Sequence, residues 1–289
     1  MHIDVIEVND CWFKYEGSET WVLKGVSLRI KESSFNLVVG PTGSGKSTLL
    51  RLFNGLVPHF YKGEFKGVVR VKGYDTRKYS VAELSKHVGM VFQDPESQVV
   101  TLTVENEIAF GLENLGYPPS VIKERVNNVL RALGIEDLRH CTVFELSSGQ
   151  LQRVVIASVL AMDPDIIVLD EPTSSLDPKS AYNFIRLLAK IRDEYGKTII
   201  VADHRLDYII PFADQVIVIN RGEIIRQDEP HIILEQGVLE AIGVDEPKIP
   251  LLFKMLKKEG LYHDIIPLTV DEAVNKVRSI LSGGLSNDR

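Results

Sequence analysis

Three stretches of the chain are almost wholly apolar, interrupted only by Asn36 and Thr198, and end on small or acidic residues. Residues 35–39 run into Gly40, residues 166–169 run into Asp170 and Glu171, and residues 198–202 run into Asp203 and His204. A strand buried on both faces reads this way, because neither side needs a polar residue. Residues 3–8, 26–30, 67–72, 88–92 and 215–219 are further strand-length runs. Residues 216–225 fit a hairpin about Asn220, Arg221 and Gly222. Between the strands the period changes. Residues 46–53 fit a helix with Gly55 near its end. Thr103 fits a cap for a helix carrying Val104, Ile108 and Leu112. Ser120 fits a cap for a helix whose stripe is Ile122, Val126, Val129, Leu130 and Leu133, with Gly134 as the stop. Helical spacing resumes at 151–162, then at 249–259 and 269–281, where Thr269 and Glu272 have capping-box spacing.

Strands alternating with helices predict an α/β fold with a mostly parallel sheet covered on both faces. The helices from about residue 94 to 163 read as an inserted subdomain within a domain spanning 1–229. Residues 230–289 read as a small helical tail, too short for a sizeable core of its own. The chain has 289 residues, 44% of them apolar and 25% charged, which is ordinary globular composition. A net charge of −7 gives no basic footprint for nucleic acid. Cys11 and Cys141 lie in no paired or metal-binding spacing and are expected as free buried thiols. The N-terminus lacks the basic and apolar regions of a signal peptide. No apolar run approaches the roughly 20 residues of a membrane span.

The chemistry sits at the ends of the buried strands. Gly40, Pro41, Thr42, Gly43, Ser44, Gly45, Lys46 and Ser47 match GxxxxGK[ST] between a strand and a helix. Glycines let the backbone wrap phosphates with its N–H groups turned inward, and the following helix start adds positive potential. Lys46 is then expected at the β- and γ-phosphates and Ser47 at Mg²⁺, with Thr48 beside it. Asp170, delivered by a buried strand, suits a Mg²⁺ ligand, held directly or through water. Glu171 is placed to polarise a water against the γ-phosphate, as positioning residue or as base. Leu146, Ser147, Ser148, Gly149 and Gln150 precede a helix. Ser147 and Gln150 have capping-box spacing, and the same helix end could grip a second phosphate.

In this order, the P-loop, the LSSGQ segment, Asp170 with Glu171, the segment Ser174, Ser175, Leu176, Asp177, and the lone His204 closely resemble the nucleotide-binding subunits of ABC transporters over roughly residues 3–228. The resemblance implies a P-loop ATPase core with an N-terminal antiparallel β-subdomain. It implies ATP and Mg²⁺ as ligands, and an arrangement in which two subunits sandwich two ATP molecules. Each ATP then lies between one P-loop and the other subunit's signature, here Ser147, Ser148, Gly149 and Gln150. Tyr15 matches the aromatic that stacks on adenine. Gln93 matches the glutamine that reaches Mg²⁺ and senses the membrane partner. Asp177 matches the loop across the dimer interface, and His204 the histidine at the γ-phosphate. Integral membrane transporter subunits are the implied partners, together with a second ATPase subunit in a homodimer or heterodimer. A peripheral place on the cytoplasmic face of the membrane follows.

The run from Val91 through Gln93 to Gln98, with Thr103 to Gly111 after it, looks like the energy-coupling-factor (ECF) type, which drives uptake of vitamins or of cobalt and nickel ions. Two residues depart from the family pattern. Ser148 replaces the usual first glycine of the signature, and Arg205 follows the histidine where many relatives carry Asp. A serine at 148 is expected to crowd the γ-phosphate or to add a hydroxyl donor there. The rival readings fit less well. A DNA-repair or translation ATPase of the same family would show long coiled coils or two tandem cores. A GTPase would need an N-K-x-D motif, and a catalytically dead subunit would not keep both Lys46 and Glu171.

Overall fold

The computed structural model of the chain describes residues 3–284. Two sheets organise it. The first is antiparallel, in the order β2-β1-β4-β5, from β1 (Asp4–Tyr15), β2 (Leu23–Lys31), β4 (Gly63–Val71) and β5 (Tyr74–Asp75). The second has the order β10-β9-β3-β8-β7-β6, from β3 (Phe35–Val39), β6 (Val88–Val91), β7 (Ile166–Asp170), β8 (Thr198–Ala202), β9 (Gln215–Asn220) and β10 (Glu223–Asp228). Strands β9, β3, β8, β7 and β6 run parallel, and β10 turns back on β9 to close one edge.

Every residue of β3, β6, β7 and β8 is buried. Their side chains alternate between two cores. Leu37, Val39, Ile167, Leu169, Ile199 and Val201 face one, with the helices behind them. Val38, Ile166, Val168, Ile200 and Ala202 face the other, which also holds Phe13, Val26 and Ile30 of the antiparallel sheet and Leu49, Leu50 and Phe53 of α1 (Lys46–Phe53). The short turns α2 (Leu56–His59) and α3 (Val81–Leu84) flank this side. The helical subdomain consists of α4 (Val104–Asn114), α5 (Pro119–Leu133) and α6 (Ser148–Ala161), and its Val104, Ile108, Leu130 and Val154 join the first core. After β7 come α7 (Pro178–Tyr195) and α8 (Leu206–Ile209). The chain then continues into α9 (Pro230–Glu235), α10 (Val238–Ala241), α11 (Lys248–Lys258) and α12 (Val270–Gly284).

Local chemistry sets several boundaries. Thr103 caps α4, its hydroxyl accepting from Asn106 N. Gly134 closes α5 in the left-handed conformation. Ser120 does not cap α5: Pro118 holds the N-cap position and Pro119 is the first helical residue, where the missing N–H costs nothing. Strand β1 extends far beyond residue 8. Its pairing slips between Val8 and Cys11, and Asp10 has φ 45°. That bulge breaks the two-residue alternation by which a strand is recognised. Gly67, opposite, has φ +84°, and a Cβ there would lie 2.2 Å from the Asp10 carbonyl oxygen. Cys11 is buried, which pushes its thiol up to about 12; Cys141 is half-buried, and both are free.

The tail divides. Ile233, Leu234 and Leu239 enter the main core. From α11 onward a small cluster of its own forms around Phe253, Tyr262, Ile266 and Ala273. Thr269 caps α12 and Glu272 completes the box as their spacing suggests: Glu272 N donates to Thr269 Oγ1 at 3.2 Å, and Thr269 N to Glu272 Oε2 at 3.4 Å.

The sheet packs closely on the helices at Gly89 of β6, where an added Cβ would lie 2.2 Å from Val159 Cγ1 of α6. Overpacking of this kind costs about 1–3 kcal/mol. Gly89→Ala is therefore expected to lower the urea midpoint measurably, and an unchanged midpoint would show that α6 yields without strain.

Candidate functional site

The parallel strands β3, β7 and β8 deliver their carboxyl ends to one edge of the sheet, and the polar residues that follow them meet there. The loop after β3 is fixed by its glycines. A Cβ on Gly40 would fall 2.0 Å from the Ile219 carbonyl oxygen, and Gly43 and Gly45 have φ +76° and +107°. Only glycine adopts this path without strain. Lys46, buried at the start of α1, donates from Nζ to the carbonyls of Gly40 at 2.8 Å and Pro41 at 3.1 Å. Burial pulls its pKa below the usual lysine range, against the opposing pull of Glu171, Asp170 and Asp203.

A cleft of about 480 Å³ opens above this loop. It is lined by Val22, Thr42, Gly43, Gly45, Lys46, Ser47, Thr48, Gln93, Glu171 and His204. Glu171 joins two of the other lining residues. One carboxylate oxygen accepts from Gln93 Nε2 at 2.8 Å, and the other lies 3.1 Å from His204 Nε2. Three residues separated by 78 and 33 positions in the chain thus meet on one carboxylate. Glu171 itself has φ 48°, a conformation that a non-glycine residue holds only when its surroundings impose it. Here its N–H donates to Ala202 O at 2.7 Å.

Asp170 lies one residue back and is buried. Among the described residues its Oδ1 has no hydrogen-bond partner. Burial pushes its carboxyl above the usual range, against the pull of the Ser47 hydroxyl and the Arg51 guanidinium. A buried carboxylate oxygen without a partner beside a serine hydroxyl suits a hard cation, since oxygen donors are what Mg²⁺ takes. Ser47, Asp170 and Gln93 are the residues that fit it.

The structure also identifies residues that sequence motifs alone do not single out. Asp203 is buried directly before His204. Its Oδ1 accepts from His204 N at 2.7 Å and Arg205 N at 2.9 Å, and its Oδ2 from Thr173 N at 3.2 Å and Thr173 Oγ1 at 2.8 Å. It therefore fixes the loops that follow β7 and β8 relative to each other. An acidic residue after a buried strand was the available signal. Gln98 holds the Gln93 loop: it accepts from Phe92 N at 3.0 Å and donates to Met90 O at 3.0 Å. Buried Glu107 takes Val100 N, Thr101 N and Thr101 Oγ1 on a single oxygen at 2.9–3.1 Å. That loop leaves Val100 and Leu102 exposed, and the exposed Phe144 follows Val143, whose N–H donates to Leu102 O.

Not all candidates share the cleft. Ser147, Ser148, Gly149 and Gln150 do not line it. The helix start there is a complete capping box, with Gln150 N on Ser147 Oγ at 3.3 Å and Ser147 N on Gln150 Oε1 at 2.9 Å. Asp177 caps α7 through Lys179 N and Ser180 N. Tyr15 packs edge-on to Phe13 and Tyr61, and its hydroxyl bonds Thr48 Oγ1 at 2.9 Å. On the cleft's own wall stands Val22.

Comparison with known proteins gives this arrangement its context. The ABC transporter family pattern matches residues 23–174. A Pyrococcus horikoshii protein assigned to the ATP-binding proteins of ABC transporters is 40% identical over 277 residues, covering 96% of this chain and 97% of the relative. Among solved structures, CbiO1 of Clostridium perfringens, part of the ABC transporter complex CbiONQ, superposes with a TM-score of 0.74 at 34% identity, covering 87% of this chain and 99% of that one. The dimeric ATP-binding cassette MJ0796, bound to ADP and phosphate after hydrolysis, gives 0.67 at 30% identity, covering 78% of this chain and 98% of that one. With the P-loop, the paired acids and the histidine meeting at one sheet edge, and with relatives matching it nearly end to end, the chain belongs to the ATP-binding subunits of ABC transporters and carries their ATPase fold.

Proposed function

We propose that this chain hydrolyses ATP at the Glu171 cleft to drive an ECF-type uptake transporter, working as one half of an ATPase dimer on membrane subunits. The observation that carries the reading is the carboxylate of Glu171 held between Gln93 and His204 above the P-loop lysine. ATP phosphates compete with the Gly40 and Pro41 carbonyls for the Lys46 ammonium and take the inward N–H groups of the loop. Ser47, Asp170 and Gln93 would hold Mg²⁺, which would supply positive charge to the phosphates when bound. Glu171 orients and polarises the attacking water, and His204 keeps Glu171 in place and meets the γ-phosphate. Phosphoryl transfer asks for positioning and electrostatics more than for covalent chemistry, and this cleft offers both.

Coupling to a membrane partner is supported by the surface next to the Gln93 loop. Val100 and Leu102 are 62% and 65% exposed on a loop that Glu107 pins from inside, and Phe144, 78% exposed, follows Val143, whose N–H bonds that loop. Apolar side chains held out on a fixed loop suit an apolar partner. No helix among the described residues is long and apolar enough to cross a membrane. The likeness to CbiO1, part of the ABC transporter complex CbiONQ, supports the ECF-type assignment. The tail carries a second apolar face, with Leu251, Leu252, Met255, Ile265 and Val270 exposed. In this reading it covers the same face of a second ATPase subunit and holds the dimer together without ATP.

Four experiments test these assignments. Glu171→Gln should keep ATP binding and lose about 10²–10⁴ in turnover, the usual cost of removing a positioned base. Lys46→Ala should instead weaken nucleotide binding. Turnover of Glu171→Gln within a few-fold of wild type would remove Glu171 from the role. Deleting residues 248–289 should halve the mass seen by light scattering in the absence of nucleotide; an unchanged mass would assign the tail's apolar face elsewhere. Purification from native membranes should recover the chain with integral membrane proteins, and recovery without any would count against the transport role.

A further inference from the structure

The two departures from the family pattern converge on one short segment. Arg205 Nη1 donates to Leu176 O at 2.7 Å, and its Nη2 to Ser174 O at 3.3 Å. Ser148 Oγ donates to Ser175 O at 3.4 Å, the longest of the three contacts. Three successive carbonyls are therefore held by side chains from two different places in the fold. One is the start of α6, and the other is the turn after β8 that carries His204. The Ser148 hydroxyl thus reaches a carbonyl of its own chain. Gly149 lies against the same segment: a Cβ there would come 3.7 Å from Ser180 Oγ and 4.0 Å from Leu176 Cδ2.

We propose that Arg205 is a positioning residue which, with Ser148, makes residues 174–176 a crosspiece between the signature helix and the Glu171–His204 pair. The far end of the crosspiece is already fixed. Thr173, its neighbour, is bound through N and Oγ1 to Asp203, whose other oxygen takes the amides of His204 and Arg205. A shift of the α6 start is passed through Ser148 and Gly149 to 174–176. From there it passes through Arg205 and Asp203 to His204, and through the tight turn from Ser174 N to Glu171 O to the carboxylate. The guanidinium suits this role because its planar fork spans two carbonyls at once, and a lysine ammonium has no such fork.

The mechanism rests on the reading above, in which the α6 start serves the nucleotide of the other subunit. The crosspiece then lets a phosphate bound at one composite site bias Glu171 and His204 at the other.

The test is a double-mutant cycle on the full chain with hydrogen exchange beside it. Arg205→Ala should lower kcat about ten-fold while KM for ATP changes by less than about two-fold, since it removes positioning and not binding. Arg205→Lys should be nearly as impaired. Ser148→Ala should lower kcat less on its own and have almost no further effect in the Arg205→Ala background, because both act through one segment. In both single alanine variants, amide exchange at residues 174–177 should quicken. Wild-type kcat in Arg205→Lys, additive losses in the cycle, or unchanged exchange in these variants would each overturn the proposal. A wild-type chain that hydrolyses no ATP would overturn the functional reading instead, and the exchange measurement would then decide the crosspiece by itself.

Discussion

Burial of the parallel sheet on both faces is the constraint from which the site follows. With every residue of β3, β7 and β8 enclosed, no polar side chain can be carried along these strands without losing its water. Charge is admitted only where a strand ends. Because the three strands are parallel and adjacent, their carboxyl ends lie side by side, and each opens on a different kind of residue: the glycine loop after β3, Asp170 and Glu171 at the end of β7, Asp203 and His204 after β8. An antiparallel order would have sent one of the three to the opposite edge of the sheet. The site is thus a consequence of strand direction as much as of residue identity.

The concentration of acids at that edge needs compensation, and the structure supplies it unevenly. Asp203 receives four N–H and O–H donors, and hydrogen bonds of this kind to a carboxylate contribute about 1.5–3 kcal/mol each. Asp170 receives less, keeps an oxygen without a partner among the described residues, and has its pKa raised by burial. Glu171 lies between these extremes, held by one amide and one imidazole and open to the cleft. The acid with the most bonds is the one that sets the geometry of two loops. The acid with an oxygen left over is the one suited to a cation. A uniform set of three satisfied carboxylates could not divide the roles in this way.

Much of this was legible in the sequence. The five-residue runs of β3 and β8 and the helix α1 appear with the boundaries that their apolar pattern predicts, since a doubly buried strand and a glycine loop leave unmistakable local marks. What escaped was non-local. The length of β1 was hidden by a bulge that only Gly67, 57 positions on, accommodates. Ser120 looked like a cap because serine usually is one, but two prolines upstream had already set the helix start. Asp203 reads as one more acid after a strand; its four partners come from two loops whose adjacency is a property of strand order. Likewise the contact of Glu171 with Gln93 and His204 is a statement about β6, β7 and β8 being neighbours, and no spacing along the chain contains it.

The departures at positions 148 and 205 show how local pattern and non-local contact trade roles. Judged by position alone, a serine in place of glycine is a crowding problem and an arginine in place of aspartate is a reversal of charge. Judged by contact, both are donors aimed at carbonyls that would otherwise face water, 174 to 176 in succession. Turning loops expose such carbonyls because no ladder takes them. An aspartate at 205 has no donor to offer a carbonyl, and a glycine at 148 has no side chain at all. The two replacements together would leave the segment before Asp177 held mainly by its own turns and by Thr173. Both residues tighten the link between the helix that begins at Ser148 and the carboxylate at 171, and their joint presence is consistent with a chain in which that link is stiff.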